Sequence, residues 1–407
     1  MNVTWMIGNG FDLGVGLKTS YQDFLTGYLK KTARSPQVNR DKGLIRKEWK
    51  NPECNWSDME LRLGHFTTQF PGDQGGLNRF NALLEDLVNE LKASFILEEM
   101  KAQINQNNNT ICDQFIQALQ SPHASLPPTD RAAVDCIWRR HQCESVIHHF
   151  INFNYTNVLD NCLQCMRKRF SAIRRHVGRR VLYDRVGELI HVHSDLRQSP
   201  ILGVDHFAQI MNPDFRDQAL ARAFVKPLAI IAAGLDTADR TRQLIADSQL
   251  VITLGMSIGV TDSTWWLELA RWLSRGQDRH LIILETNPSV NHPYNGRMQK
   301  RKADIWCLLE TVMGRDVFWA VQQRIHIASN LIPGTQNRLL GFRLVPEPPP
   351  PPSLGLLLKR LQTAIAWLQP SQKRPPAAPP AMDQRAPAPD PSADQSSQPG
   401  QEPVSAG

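Results

Sequence analysis

A glycine-rich turn near the start of the chain carries the first residues that could do chemistry. Gly8, Asn9, Gly10 and Asp12 follow the apolar run 3–7. Glycines let the backbone approach a ligand closely, and free amides at the start of a following helix suit a phosphate. Asp12 would repel a phosphate, so we expect it to bind ribose hydroxyls or loop amides. The spacing Gly-x-Gly-x-x-x-Gly is one residue longer than the dinucleotide fingerprint, so a turn without a ligand remains an alternative.

Further candidate residues stand directly after predicted strands along the rest of the chain. Parallel strands place their carboxyl ends at one edge of a sheet, and α/β proteins bind ligands there. We therefore expect these residues to converge with Asn9 and Asp12 on one site. They are Asn154, His193, Asp205, Gly255, Ser257, Asp262 and Asn287.

An imidazole and an amide are the groups in this set that could assist a reaction. His191 and His193 alternate along one predicted strand, so we expect them to share a face and at least one of them to reach the strand end. An imidazole can act as a general base toward a ribose hydroxyl or a water. Asn154 could orient that water or hydroxyl without placing a charge beside phosphates.

The pattern of strands and helices that would position these residues predicts an α/β fold. Strands that are apolar throughout and alternate with helices indicate a parallel sheet covered on both faces. Predicted strands include 146–153, 188–192, 250–254 and 281–284, with a short strand at 201–205 and an edge strand at 324–327. One helix is expected over 215–234, and residues 21 to about 145 are predicted to form a large, mostly helical insertion.

The composition changes near the C-terminus. Residues 346–352 are nearly all proline, and residues 370–407 are rich in proline, alanine, glutamine and serine. Such segments do not bury enough apolar surface to fold. We predict one folded domain over residues 1–335 and a mostly disordered, proline-rich tail over 345–407.

Cysteine usage and hydropathy favour a cytoplasmic protein. Seven cysteines, an odd number in a chain of 407 residues, suggest a reducing compartment. We find no signal peptide and no apolar run long enough for a membrane span, so we expect no membrane association. The pair Cys162 and Cys165 could hold zinc together with Cys136 and Cys143, but cysteines in apolar helices usually pack, and we predict no metal site.

A basic run gives the chain its excess of positive charge. The net charge is +7, and arginines and lysines cluster between Arg167 and Arg185. Such a run could bind nucleic acid. We favour a solvated surface, because we see no aromatic side chains interleaved with the arginines for base stacking.

Several motifs together resemble the phage abortive-infection AbiH family. The resemblance covers about residues 1–330 and leaves out the tail. The matching motifs, in the order of the family, are Ile7-Gly8-Asn9-Gly10-Phe11-Asp12-Leu13, Gly16-Leu17-x-Thr19-x-Tyr21-x-x-Phe24, Trp56-Ser57-Asp58-x-Glu60, Phe153-Asn154-Tyr155-Thr156-Asn157 and Gly255-x-Ser257-x-Gly259-x-x-Asp262.

That family is in turn distantly similar to sirtuin-like domains, which have a Rossmann-type sheet and bind NAD. The similarity implies that Asn154 and His193 are catalytic. It also implies that Gly8, Asn9 and Gly10 lie in the first NAD-binding loop, that Gly255 and Ser257 lie in a later loop that contacts phosphate and ribose, and that Asn287 binds the adenosine ribose. Asp12 and Asp262 are further candidates for binding the cofactor.

The sequence departs from these families at a few positions. Ser194 stands where both usually carry glycine after the histidine, and Asn9 and Asp12 replace small residues of the sirtuin loop. No paired Cys-x-x-Cys zinc module is visible at the usual kind of position, which argues against a protein deacetylase.

The resemblance implies an anti-phage protein that hydrolyses NAD at the nicotinamide–ribose bond, with NAD as substrate or ligand. Two alternatives remain open. One is a non-catalytic nucleotide sensor whose ligand shifts self-association into a homo-oligomer. The other is an effector that binds nucleic acid through the basic run.

Overall fold

Seven strands form a single sheet in the computed structural model, which describes residues 1–51, 53–54, 56–102, 104, 109–216, 219–286, 296–332 and 334–346. The strands are β1 (Asn2–Ile7), β2 (Ile147–Asn152), β3 (Ile173–Val177), β4 (Arg180–His191), β5 (Leu250–Leu254), β6 (His280–Glu285) and β7 (Ile325–Ser329). Their order across the sheet is β3-β4-β2-β1-β5-β6-β7. Every neighbouring pair is parallel except β3 and β4, which form an antiparallel hairpin. The prediction of a mixed α/β fold with a mostly parallel sheet is confirmed.

The strand register brings four carboxyl ends to the same level. Ile7 at the end of β1 pairs with Asn152 of β2 and with Leu254 of β5. Asn152 pairs in turn with His191, the last residue of β4. Residues that follow these four strands therefore start from one edge of the sheet.

The chain between the first two strands is helical, as the sequence predicts for this segment. After the short helix α1 (Gly10–Gly14) come α2 (Tyr21–Tyr28), α3 (Pro36–Trp49), α4 (Met59–Phe66), α5 (Gln74–Glu99), α6 (Asn109–Gln120) and α7 (Pro128–Arg140). The heptad-like apolar positions of α5, from Leu77 to Phe95, are buried in a core that also includes side chains of α2–α4. This core joins the insertion to the segments between Leu196 and Val225 and is separate from the two cores that cover the sheet.

The remaining helices follow the later strands. They are α8 (Val158–Arg169), α9 (Ala219–Arg222), α10 (Lys226–Ala232), α11 (Thr237–Ala246), α12 (Ser263–Ser274), α13 (Gly296–Met313) and α14 (Arg315–Val321). Side chains of α6 and α8 pack on one face of the sheet, and those of α11–α14 pack on the other. The sheet is thus covered on both faces, which explains why every residue of β5 and all of β1 after Asn2 are buried.

Two predicted elements are wrong. Residues 201–205 form no strand, because the backbone of Val204 pairs only with the segment around Val225 as an isolated bridge. The predicted helix over 215–234 is interrupted at the same place. Val225 has the extended backbone that this bridge requires, and α10 begins after it with Pro227 in its first turn, where proline is favoured.

Two predictions lie outside the described residues. Asn287 is one of them, and the proline-rich tail from residue 347 onward is the other. The domain boundary near residue 335 stays a prediction. Within the part of the chain that the structure describes, no helix combines the length and apolar content that a membrane span requires.

Candidate functional site

A cavity of about 360 Å³ opens at the edge of the sheet where the strands end. Its wall is formed by the loops after β1, β2, β4 and β5, together with residues of the helical insertion. The lining residues are Gly8, Asn9, Asp12, Thr19, Tyr21, Ser57, Asp58, Glu60, Phe95, Phe153, Asn154, Tyr155, His193, Gly255, Met256, Ser257, Ile258, Gly259, Thr261 and Asp262.

Most of the predicted site residues meet in this wall. Those that line the cavity are Gly8, Asn9, Asp12, Asn154, His193, Gly255, Ser257 and Asp262. Gly10 lies just behind the wall, against Gly255. Asp205 does not line the cavity, because its carboxylate accepts hydrogen bonds from Ser263 Oγ (2.8 Å) and Thr264 N (2.7 Å) at the start of α12.

The glycines of the two turns let their backbones touch. A Cβ on Gly8 would lie 2.5 Å from the carbonyl oxygen of Gly255, and one on Gly10 would lie 2.4 Å from the Gly255 Cα. Gly255 itself has a φ of +63°, which other residues rarely adopt. The glycines therefore bring the two turns into contact, and this contact accounts for them without a ligand.

The side chain of Asn9 holds the first turn in shape. Asn9 Nδ2 donates to the carbonyl of Thr19 (2.9 Å), and Thr19 Oγ1 donates back to Asn9 Oδ1 (2.6 Å). Asn9 is thereby fixed to the segment that leads into α2. Its side-chain polar groups are occupied by the protein, so the predicted role of Asn9 in ligand binding stays a prediction.

A buried cluster surrounds the carboxyl of Asp12. Asn154 Nδ2 donates to Asp12 Oδ1 (3.2 Å) and to the carbonyl of Gly8 (3.2 Å), and Thr156 Oγ1 donates to Asp12 Oδ2 (2.6 Å). Burial raises the pKa of Asp12 to about 7, although the hydrogen bond from Thr156 favours the charged form. Among the described residues, Asn154 Oδ1 has no hydrogen-bond partner. The wall of the cavity thus contains a buried carboxyl that exchanges protons near neutral pH and, beside it, a buried amide oxygen without a partner.

A second cluster joins the insertion to the sheet. Lys226 Nζ donates to Glu60 Oε2 (3.0 Å) and to Asp262 Oδ1 (3.0 Å), and the lysine is almost fully buried. Burial raises the pKa of Glu60 to about 7, although the Lys226 ammonium opposes that rise. Burial also acts to raise the pKa of Asp262, but Lys226 outweighs it, so the pKa of Asp262 is below its usual range. Asp262 is therefore the ionised partner of Lys226 at neutral pH.

His193 stays neutral at physiological pH. Burial and the nearby charge of Lys226 lower the pKa of His193 to about 3. Its ring packs edge-on against Phe153, with the ring centres 5.7 Å apart. A neutral imidazole with so low a pKa can hydrogen-bond to a ligand, but it is a weak proton acceptor.

The expectation that His191 and His193 share a face is wrong. Strand β4 ends at His191, so the alternation does not continue to His193. His191 Nε2 bonds to Asp160 Oδ2 (2.8 Å) on α8, and Nδ1 bonds to the carbonyl of Asn154 (3.0 Å). His191 therefore braces the loop that carries Asn154, while His193 lines the cavity.

Ser194 adopts the backbone conformation that suits glycine. Its φ is +65°, within the left-handed region that side chains disfavour. The turn after His193 is formed with a serine in place of the expected glycine, at some cost in backbone strain.

The turn after β5 offers free backbone donors. Within the described residues, the amides of Met256, Ser257 and Ile258 donate to no protein acceptor. Trp266 Nε1 donates to the carbonyl of Ser257 (3.0 Å) and holds this turn against α12. Successive free amides of this kind can bind an anion such as a phosphate.

Several site residues were missed in the prediction from sequence. Glu60, Tyr21 and Tyr155 line the cavity, and Lys226 bridges two of its carboxylates. The available signal for three of them was the family resemblance, because its motifs include Glu60, Tyr21 and Tyr155. Lys226 lies outside every such motif, and no sequence pattern marked it.

No cluster of three or more histidine, cysteine or carboxylate side chains in the described segments could hold a metal ion.

Comparison with known proteins finds a family whose model matches the sequence of this chain. The family model for bacteriophage abortive infection AbiH matches residues 4–283, which is more than half of the chain. The matched span contains every residue that lines the cavity. No curated protein matches the chain.

Proposed function

Because the chain belongs to the bacteriophage abortive infection AbiH family, we propose that its cavity hydrolyses NAD during phage infection. Membership of the family implies the role in abortive infection. The proposal adds a substrate and a reaction. It is carried by one observation, namely that the cavity combines carboxyls whose pKa is near 7 with a turn of free backbone amides.

The distribution of charge around the cavity fits the two ends of NAD. Asp12, Glu60 and Asp262 place carboxyl groups in the wall, and these groups would stabilise the cationic nicotinamide end and the positive charge that develops on its ribose. The free amides of residues 256–258 would accept the pyrophosphate. A sirtuin-like arrangement of these loops, as the family resemblance implies, would bind the same ligand.

The reaction would need one proton acceptor. The bond between nicotinamide and C1′ of the ribose breaks, nicotinamide leaves as a neutral base, and a water oxygen bonds to C1′. The water gives up one proton. Asp12 suits this role because its pKa of about 7 makes it a better base than an ordinary aspartate and leaves it partly ionised at neutral pH.

Asn154 and His193 would position the reactants. Asn154 holds Asp12 through Nδ2, and its unpartnered Oδ1 could accept a hydrogen bond from the water or from a ribose hydroxyl. His193, with a pKa of about 3, would hydrogen-bond to a ribose hydroxyl as a neutral imidazole. We assign the proton-accepting role to Asp12 for this reason, in place of His193.

The test is turnover of NAD by the purified full-length protein, with release of nicotinamide followed by chromatography. Asn154→Ala should lower the rate by about a hundredfold or more, as the loss of a positioned polar group in an active site typically does. The matched control is Asn157→Ala. Asn157 is also buried and lies three residues along the same segment, but it does not line the cavity.

Asn157→Ala should keep turnover within a few-fold of the parent. Equal rates for Asn154→Ala and the parent would contradict the proposed site. NAD that binds tightly to the parent protein without being consumed, both alone and in extract from phage-infected cells, would replace hydrolysis by ligand sensing.

A further inference from the structure

One side of the β3–β4 hairpin is an exposed surface of mixed basic and apolar character, which we call the hairpin face. The antiparallel register pairs Arg174 with Tyr183 and His176 with Val181, so each pair points to the same side. Arg185 stands two residues beyond Tyr183 and shares that side. All five side chains are exposed, and just over half of the Tyr183 surface is accessible (54%).

The arginines of the hairpin face are not engaged by the protein. The guanidinium groups of Arg174 and Arg185 form no ion pair or hydrogen bond with any residue that the structure describes. Their neighbour Arg175 points to the opposite side, where it forms an ion pair with the buried carboxylate of Asp184 (2.8 Å). Arg175 is thus a structural residue, whereas Arg174 and Arg185 leave their charge in solvent.

The charge continues around the hairpin turn. Arg179 lies in the turn itself and Arg180 follows it, and both are exposed without a carboxylate partner among the described residues. Asp184 is the one acidic residue of the two strands up to Arg185, and it is buried on the other side. The hairpin therefore presents four uncompensated arginines, two of which, Arg174 and Arg185, share the side of the exposed Tyr183.

This surface is remote from the cavity along the strand direction. Arg185 pairs with Ile147, the first residue of β2, so residues 180–184 extend beyond the start of β2. The cavity lies at the opposite end of the strands, where β4 ends at His191. A ligand on the hairpin face would not occupy the cavity.

We propose that the hairpin face binds single-stranded nucleic acid. Uncompensated arginines attract the phosphates of a polynucleotide, and an exposed tyrosine offers a flat ring on which a base can stack. Stacking requires bases whose faces are accessible, which a duplex hides, so the tyrosine selects a single strand. The expectation of a merely solvated basic surface overlooked Tyr183, which lies between Arg180 and Arg185 in the sequence and pairs with Arg174 across the hairpin.

The test is fluorescence anisotropy with the full-length protein and a labelled single-stranded RNA of about 20 nucleotides, repeated with single-stranded DNA of the same sequence and with the duplex. Both single strands contain the phosphates and bases that the surface would recognise, and the two measurements identify the preferred strand. Tyr183→Ala should weaken binding about tenfold, because stacking of one base on an aromatic ring contributes that much. Tyr183→Phe keeps the ring and should bind like the parent.

Replacing the arginines should change the salt dependence. The double variant R174A/R185A should reduce the steepness of log affinity against log salt by about 1.4, from two phosphate contacts at about 0.7 each. Trp319→Ala is the matched control for the tyrosine, since Trp319 is an equally exposed aromatic residue on α14 (56%). Thermal melting of each variant confirms that it is folded.

Three results would overturn the proposal. They are no binding of either single strand by the parent at low salt, equal affinity of Tyr183→Ala and the parent, and tighter binding of the duplex than of both single strands. The second and third would indicate attraction to any polyanion, including an acidic protein segment. Because the cavity residues are unchanged in these variants, NAD turnover is a separate readout that neither supports nor weakens this proposal.

Discussion

Asp12 is a site residue whose acidity is strongly changed by its surroundings. In water its carboxyl would be ionised at neutral pH, but in the fold burial raises its pKa to about 7. Asn154 and Thr156 hold both carboxyl oxygens by hydrogen bonds, so the group is fixed as well as buried. A carboxyl held in this way is costly to the fold when charged, and a strongly shifted pKa in a cavity wall marks a candidate functional residue.

The direction of the Asp12 pKa shift predicts how Asp12→Asn changes the stability of the protein. The raised pKa means that the folded protein binds the carboxyl proton of Asp12 more tightly than the unfolded chain does. The protonated carboxyl therefore contributes to stability below about pH 4, and this contribution is lost as the pH rises from about 4 to about 7. Asparagine mimics the neutral carboxyl. Asp12→Asn should therefore stabilise the protein at about pH 8 by up to about 4 kcal/mol and have little effect near pH 4, while it abolishes turnover.

Thermal melting across pH, with turnover measured on the same samples, checks this prediction. Thr156→Val serves as a control that removes one hydrogen bond from Asp12 but leaves the carboxyl in place. A loss of stability in Asp12→Asn at about pH 8 would contradict the assigned pKa direction.

At the scale of single residues, the sequence locates those site residues that come shortly after a predicted strand. Asp12, Asn154, His193 and Asp262 could be placed at one edge because each comes after an apolar strand or its turn. Lys226 could not be placed in this way, since it is 166 residues from its partner Glu60 along the chain and only the tertiary fold brings the two together.

The turns after β1 and β5 act as one element, because their backbones are in direct contact. A Cβ at Gly10 would fall 2.4 Å from the Gly255 Cα, whereas one at Gly14 would meet nothing within 4 Å. Gly10→Ala must therefore push the two turns apart, and Gly14→Ala need not move anything. The two glycines differ by four positions in one short segment, so they form a matched pair.

Urea unfolding should separate these two variants. Gly10→Ala should destabilise the protein by about 2–3 kcal/mol, as overpacking does in a rigid site. Gly14→Ala should change the free energy of unfolding by less than about 1 kcal/mol, because no contact is lost and the unfolded chain becomes more restricted. Similar small effects for both would mean that the turns are not in contact, and the positions of Asp12 and Ser257 would have to be revised.

Element prediction succeeded where the local pattern agreed with the final pairing. The segment 250–254 is apolar throughout and forms the buried strand β5 with the predicted bounds. The segment 201–205 has a similar apolar start, but the backbone of Val204 pairs with Phe224 and Lys226 across an isolated bridge. Local propensity cannot indicate whether a neighbouring strand is available for pairing. Strand prediction from local sequence therefore fails most often for short segments.

At the scale of the whole molecule, Lys226 connects three parts of the chain. It lies at the start of α10 and binds Glu60 from the helical insertion and Asp262 from the segment after β5. Both carboxylates line the cavity. The lysine thus fixes the insertion to the sheet at the place where the two enclose the candidate site.

Lys226→Met should be strongly destabilising. Removal of the ammonium leaves Glu60 and Asp262 buried beside each other without compensation, which costs about 3–5 kcal/mol in comparable buried pairs. The loss should be larger at about pH 8 than at about pH 5, because protonation of Glu60, whose pKa is about 7, relieves the repulsion.

Denaturant unfolding at both pH values measures this effect. Lys31→Met is the matched control, since Lys31 forms an exposed ion pair with Glu90 (2.6 Å) and its loss should cost less than about 1 kcal/mol. Equal small effects for both lysines would show that Lys226 does not connect the insertion to the sheet.

We propose above that the cavity destroys NAD when a phage infects the cell. The most direct measurement is the NAD content of phage-infected cells that carry the parent gene, compared with cells that carry Asn154→Ala or the control Asn157→Ala at equal protein level. We predict that NAD falls and nicotinamide rises after infection with the parent and with Asn157→Ala, and that both stay constant with Asn154→Ala. Protection against phage by the parent protein while cellular NAD stays constant would contradict the claim.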